Sequence, residues 1–252
     1  MGVLSEDTSP AAEQVLIRLL RGRTACERLH QLQQSIRAGR QLQQMGLRMR
    51  HPEWSQERIE AESGGKDWMQ ADPVRLLVQV ADILARSGID YFATGSIGST
   101  LYGEPRYTQD IDLVVSLKPE QAEALFHLVE KEFYADLGAM QEAIAHASSF
   151  NWIHLATNFK VDLHVSRGDE FDRSRFARSR EAEGFLVASP EDVLLAKLRW
   201  YRLGGEVSDR QWRDILGIIL VQAERLDPAY LEHWAAKLGV LDLLERARQQ
   251  AA

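Results

Sequence analysis

The sequence predicts an α+β protein with a small mixed sheet, a helical C-terminal region and a helical N-terminal arm. Three observations predict it. Short apolar runs with strand character occupy the middle of the chain: YFAT at 91–94, DIDLVV at 110–115 and FKVDLHV at 159–165. Helix caps follow one another from residue 189 onward. The first 66 residues space their apolar side chains at mostly helical steps between Arg and Gln. Strands and helices mix early and helices dominate late, which argues against a regular βαβ wind.

In the arm, Ser9-Pro10 is an N-cap followed by an N1 proline. Thr24 and Glu27 have the spacing of a capping box. Leu29, Leu32, Ile36, Leu42, Met45 and Met49 then continue the helical pattern, with an interruption expected at Gly39 and a stop at Pro52. The echo of QLQQ at 31–34 and 41–44 is too little for a repeat architecture. The arm reads as an amphipathic helix docked on the main domain with its Arg heads in solvent; contact with RNA or a partner protein is the alternative. A junction is expected at Ser63-Gly64-Gly65. The domains read as 1–66 (arm), 67–188 (α/β core) and 189–252 (helical region).

Beyond the junction, Pro73–Arg86 reads as a helix, Tyr91–Thr94 as a strand, Gly95–Tyr102 as a helix start and Asp110–Val115 as a strand. A helix over Glu120–Glu132, a short strand at Phe133–Ala135 and a helix over Leu137–Ala147 follow. Asn151–Ala156 and Phe159–Val165 read as a hairpin turning at Thr157-Asn158, and Phe185–Val187 as the last strand. Ser189-Pro190, Ser208 with Gln211, and Asp227-Pro228 cap three final helices.

Composition narrows the function classes. The 252 residues carry a net charge of −7, with 27% charged and 45% hydrophobic residues, which fits a folded protein. Cys26 is the single cysteine, so a disulfide framework and a Cys-rich zinc site are excluded. No apolar run approaches the roughly 20 residues of a membrane helix, and no basic-then-apolar leader is evident, so a cytoplasmic protein without membrane contact is expected. The charge is uneven: residues 1–66 sum to +2 and residues 67–252 to −9. A uniformly basic nucleic-acid binder is therefore not expected, although an RNA substrate is not excluded. The chain has no GxxxxGK[ST] loop, no HExxH and no GxSxG elbow.

Three features carry chemistry. Gly95-Ser96 follows an apolar strand at a helix start, where backbone N–H groups bind phosphate oxygens; the plain alternative is a turn. Asp110 and Asp112 share one face of a strand. Neighbouring carboxylates repel, so a cation or solvent must compensate, and hard oxygens suit Mg²⁺. Asp162 lies within the alternating strand FKVDLHV and needs a partner there. It either completes a two-metal clamp with the first two acids or pairs with Lys160 or His164. His164 reads as a structural or supporting histidine. Trp200, Tyr201 and Trp212 read as helix-to-helix packing, with base stacking as the alternative.

A strand, Gly-Ser, a gap of 13 residues, Asp-x-Asp on a second strand and a later strand Asp together resemble the nucleotidyltransferase fold, the superfamily of DNA polymerase beta. The stretch FATGSIGSTLYGEPRYTQDIDLVV is similar to small bacterial nucleotidyltransferase-like proteins, including those of the abortive-infection toxin–antitoxin type. The resemblance covers about residues 74–222. It implies an enzyme that moves an NMP from an NTP to a hydroxyl acceptor with two Mg²⁺ ions. Gly95 and Ser96 would hold the triphosphate. Asp110, Asp112 and Asp162 would hold the metals. Lys197, on the capped helix SPEDVLLAKLRW, would stand near the phosphates, and Arg106 would touch phosphate or steady its loop. Arg210 to Asp214 resembles a basic-then-acid motif of the toxin-type members and would place Arg213 at the nucleotide; those members have a lysine where this chain has Arg213. The acceptor remains open among tRNA, another RNA, a protein and a small molecule. A non-catalytic nucleotide- or partner-binding module on the same fold is the alternative.

Overall fold

A computed structural model describes residues 4, 8–63, 72–106, 108 and 110–251. The expected junction at Gly64-Gly65 lies outside the described residues. The arm forms α1 (Pro10–Gly22), α2 (Ala25–Arg50) and α3 (Gln56–Glu62), with the Thr24–Glu27 capping box formed in full. Helix α2 runs through Gly39 without a break. One helical glycine costs about 1 kcal/mol, and the packing on either side of it outweighs that. Before it, Leu29, Leu32 and Ile36 are buried in the same cluster as the sheet; after it, the Arg40 guanidinium stacks 5.1 Å from the Phe159 ring.

The arm therefore docks as expected, but not all its arginine heads reach solvent. Arg40 is buried, and so is Arg28, which donates to the carbonyls of Leu20 and Gly103. Farther along, Leu42, Met45 and Met49 are exposed. Leu32 is fully buried between arm and core, so Leu32→Ala is expected to cost about 2–5 kcal/mol. Urea denaturation should show this loss in a single transition shared by arm and sheet.

The core elements are α4 (Pro73–Arg86), β1 (Tyr91–Ala93), α5 (Gly95–Tyr102), β2 (Asp110–Val115), α6 (Ala122–Val129), β3 (Phe133–Tyr134), α7 (Leu137–His146), β4 (Ser149–His154), β5 (Lys160–Val165), α8 (Glu170–Arg178), β6 (Arg180–Ala182) and β7 (Phe185–Val187). The C-terminal helices are α9 (Pro190–Leu203), α10 (Asp209–Gln222), α11 (Pro228–Lys237) and α12 (Leu241–Ala251). The first turn of the helix expected from Glu120 is a tighter 3₁₀ turn at Pro119–Gln121. Helix α8, strand β6 and the separate helices α3 and α12 have no counterpart in the sequence reading, which expected three final helices where the structure has four. Helix α8 lacks a regular apolar stripe: Phe171 packs on Trp234, Phe176 on Phe92, and Arg175 lies over both Phe92 and Phe171.

One seven-stranded mixed sheet runs in the order β3-β4-β5-β2-β1-β7-β6. Strands β2 and β5 pair in parallel, as do β1 and β7; the other neighbours are antiparallel. Ile111, Leu113 and Val115 of β2 are fully buried in a core shared with α2, α4 and α5. By alternation, Asp110, Asp112 and Val114 take the opposite face, where a second core gathers Phe92, Val114 and α9–α12. Helices α5 and α9 approach closely because Gly98 has no side chain: a Cβ there would lie 2.6 Å from Val193 Cγ2.

Candidate active site

The site begins at the turn from β1 into α5. Thr94 N–H donates to the Asp112 carbonyl at 2.9 Å, which ties the end of β1 to β2. Gly95 follows with φ +56°, a left-handed conformation that side chains resist. An added Cβ at Gly95 would lie 1.9 Å from Asp112 Oδ2. The Asp112 carboxylate thus occupies the space that the glycine leaves, directly at the N-terminus of α5. Burial pushes the Asp112 pKa up, but nearby His164 and Lys197 and the Ser96 backbone N–H hold it below the usual carboxylate range. His164 Nε2 is 3.7 Å from Asp112 Oδ1, too far for a hydrogen bond. Asp110 Oδ1 accepts from the Thr108 hydroxyl at 2.6 Å.

A cleft of about 990 Å³ opens over this turn, at the upper end of the roughly 300–1,000 Å³ of small-molecule sites. Gly95, Ser96, Arg106, Asp110, Asp112 and Lys197 all line it. Arg106 and Lys197 converge on a residue that the sequence reading had given no role of its own, Asp214. Arg106 grips it with Nε and Nη2, both at 2.9 Å, and Lys197 Nζ reaches Oδ2 at 2.7 Å. Arg106 Nη2 also donates to Ser96 Oγ at 3.1 Å. The chain Ser96–Arg106–Asp214–Lys197 fixes two cations beside the helix N-terminus. Only the Arg210–Asp214 motif hinted at Asp214; its distance in sequence from Arg106 hid the contact.

Asp214 and Lys197 are buried and Arg106 is partly so; burial raises the Asp214 pKa, but the two cations hold it below the ordinary value. Asp214→Asn removes the carboxylate that Lys197 and Arg106 share and is expected to cost about 3–5 kcal/mol at neutral pH. The folded pKa lies below the unfolded value of about 3.9, so this stabilisation is present above pH 4 and is lost as pH falls through the folded value. The gap between wild type and Asp214→Asn in urea denaturation should therefore shrink at pH 3.

Two expected residues stand elsewhere. Asp162 is the register partner of Asp112, as the parallel pairing of β5 and β2 requires. Its carboxylate is held by Lys160 Nζ at 2.8 Å, and it does not line the cleft. Lys160 in turn faces Asp110 across the strands, and the three acids raise its pKa, Asp162 most directly. Among the described residues, no three of His, Cys, Asp or Glu gather tightly enough to enclose one metal ion. Arg213 does not reach the cleft: it points away and makes a two-pronged ion pair with Glu104 at 2.7 and 2.8 Å. Arg210, one turn earlier on α10, lines the cleft instead. The aromatic cluster divides as well. Tyr201 packs on Trp212 with ring centroids 4.9 Å apart, whereas Trp200 is 57% exposed and lines the cleft near His164.

No family model and no curated protein matches this sequence. Several solved structures are similar to it, two of them as follows. An antigenic nucleotidyltransferase-like protein from Paracoccidioides brasiliensis is 20% identical with a TM-score of 0.41, over 69% of this chain and 91% of that one. The antibiotic-resistance factor ANT(2'')-Ia is 15% identical with a TM-score of 0.42, over 71% and 94%. Among the described residues, no helix is long and apolar enough to cross a membrane.

Proposed function

We propose that the chain is a Mg²⁺-dependent nucleotidyltransferase that moves an NMP from an NTP to a hydroxyl acceptor and releases pyrophosphate. One observation carries this reading: the Asp112 carboxylate fills the space under Gly95, so acid and phosphate-binding turn form one unit. The donor set fits Mg²⁺, because Asp110 and Asp112 present hard carboxylate oxygens to an open cleft from one strand face. When bound, the metal supplies charge neutralisation at the phosphates and a lower pKa for the attacking hydroxyl. Asp162 is a third candidate ligand, available if the half-exposed Lys160 turns to solvent.

The residues of the chain do the rest by positioning and charge, which is most of what this chemistry requires. The first N–H groups of α5 and the Ser96 hydroxyl face the phosphates. Arg106 and Lys197, oriented by Asp214, add positive charge there. Arg210 replaces Arg213 as the basic residue of α10 at the nucleotide. The toxin-type relationship rests on the resemblance of the stretch FATGSIGSTLYGEPRYTQDIDLVV, and the arginine at 213 in place of a lysine weakens it; growth arrest on induced expression would test it.

Incubation with each α-labelled NTP, Mg²⁺ and separate RNA, protein and small-molecule fractions should transfer label with stoichiometric pyrophosphate release. One observation favours a non-catalytic nucleotide-binding module instead: the pairing of Asp162 with Lys160 rather than with the other acids. Calorimetric NTP binding with no label transferred to any fraction would decide for it.

A further inference from the structure

The cleft has a second basic wall that the nucleotide reading leaves unused. It is formed by Arg167 just after β5, Arg175 on α8 and Arg199 on α9, all lining the cleft. Strand β5 ends at Val165, three residues beyond Asp162 and so about 10 Å along the sheet from the level of Asp112. Arg167 therefore stands at the other end of the cleft floor from Ser96, and Arg175 and Arg199 line the same cleft close enough for the charges of Arg167 and Arg175 to act on Arg199. Its two acids are occupied by the protein itself. Asp172 accepts from the Ser166 hydroxyl, the backbone N–H of Arg167 and Arg175, and Asp169 caps α8. Among the described residues, the guanidinium groups of Arg167 and Arg199 make no hydrogen bond or ion pair, and Arg175 Nε is buried without a partner. Partial burial, and then the charges of Arg175 and Arg167, depress the pKa of Arg199, and Asp169 and Asp172 offset this only in part.

Two guanidinium groups without a hydrogen bond or ion pair, those of Arg167 and Arg199, line one cleft beside the Asp172-bound Arg175, and such groups suit the planar, multidentate recognition of phosphate. We propose that this wall binds a phosphate group carried by the acceptor, so that the hydroxyl being modified belongs to a phosphorylated molecule. The proposal rests on the nucleotidyl-transfer reading and names the acceptor class for it. In the transfer, the acceptor oxygen bonds to the α-phosphorus of the NTP. The bond from that phosphorus to the bridging oxygen breaks, its electron pair leaves on pyrophosphate, and the hydroxyl proton passes to solvent. The exposed indole of Trp200, next to Arg199 on α9, reports occupancy of this end.

The test titrates the full chain, with Mg²⁺ and α,β-methylene-ATP present, while following tryptophan fluorescence and heat. The probes are ribose 5-phosphate, a ten-nucleotide single-stranded RNA and unphosphorylated ribose. At least one phosphate-bearing probe should bind and ribose should not. The tighter phosphate probe identifies the source as a small monoester or a nucleic-acid backbone. Arg199→Gln and Arg167→Gln should each weaken that probe about tenfold, the loss of one charge-assisted contact worth roughly 1.4 kcal/mol. Both variants should keep the wild-type affinity for α,β-methylene-ATP. The proposal is overturned if neither phosphate probe binds, if both variants bind it as wild type does, or if they lose the ATP analogue by the same factor. Failure of the wild type to bind the α,β-methylene analogue of any of the four NTPs would refute the nucleotidyl-transfer reading instead, and the phosphate probes would still report on the wall.

Discussion

Gly95→Ala is expected to remove both activity and a large part of the stability of the protein. A methyl group at this position meets Asp112 Oδ2 at 1.9 Å and must also adopt a φ of +56°. The left-handed backbone costs roughly 1–2 kcal/mol and the overpacking about 1–3 kcal/mol. A combined loss of about 3 kcal/mol should lower Tm by roughly 10 °C in a domain of this size. The Asp112 carboxylate has to move aside by more than an ångström, and a displacement of that size costs about a hundredfold in rate. Thermal unfolding and label transfer, measured on the same preparation, should fall together. A variant that keeps full transfer would show that Asp112 does not act from this position.

Asp112→Asn should separate the two effects. The amide keeps the shape of the side chain and removes its charge. It therefore fits under Gly95, and the fold should change little. Transfer is expected to drop by about 10²–10³-fold, the scale set by the loss of one preorganised electrostatic group. NTP binding without Mg²⁺ should be retained, because Ser96, Arg106 and Lys197, the cleft residues proposed to meet the phosphates, are unchanged. Calorimetry in EDTA and pyrophosphate release in Mg²⁺ check the two halves. Equal rates for variant and wild type would refute the assigned role.

Much of the fold was legible because local signals and the tertiary structure agree. Ser9, Thr24, Ser189, Ser208 and Asp227 are N-caps in the structure with their side-chain bonds formed. The alternation in DIDLVV placed two acids on one face, and the register confirms that face. Other features were not legible. Helix α8 is held by arginine–aromatic stacking, which leaves no periodic apolar pattern to read. The break expected at Gly39 did not occur because the packing of Leu32 and Ile36 outweighs one glycine. Arg213 and Arg210 look alike in sequence, and the rotation of α10 turns one to Glu104 and the other to the cleft.

The sequence by itself determined the strand and helix order and the chemical types at the site: a glycine, a serine and paired aspartates. These are local properties, set by backbone preference, capping and the two-residue period of a strand. Only the tertiary structure decided which charges meet. It joined Arg106 and Lys197 through Asp214, gave Asp162 to Lys160, and left Arg167 and Arg199 facing an open cleft. Except for Asp162 and Lys160, which share a strand face two residues apart, these placements depend on distances of a few ångströms between residues far apart in the chain. Coulomb attraction and desolvation change steeply over those distances, and no spacing in the sequence encodes them.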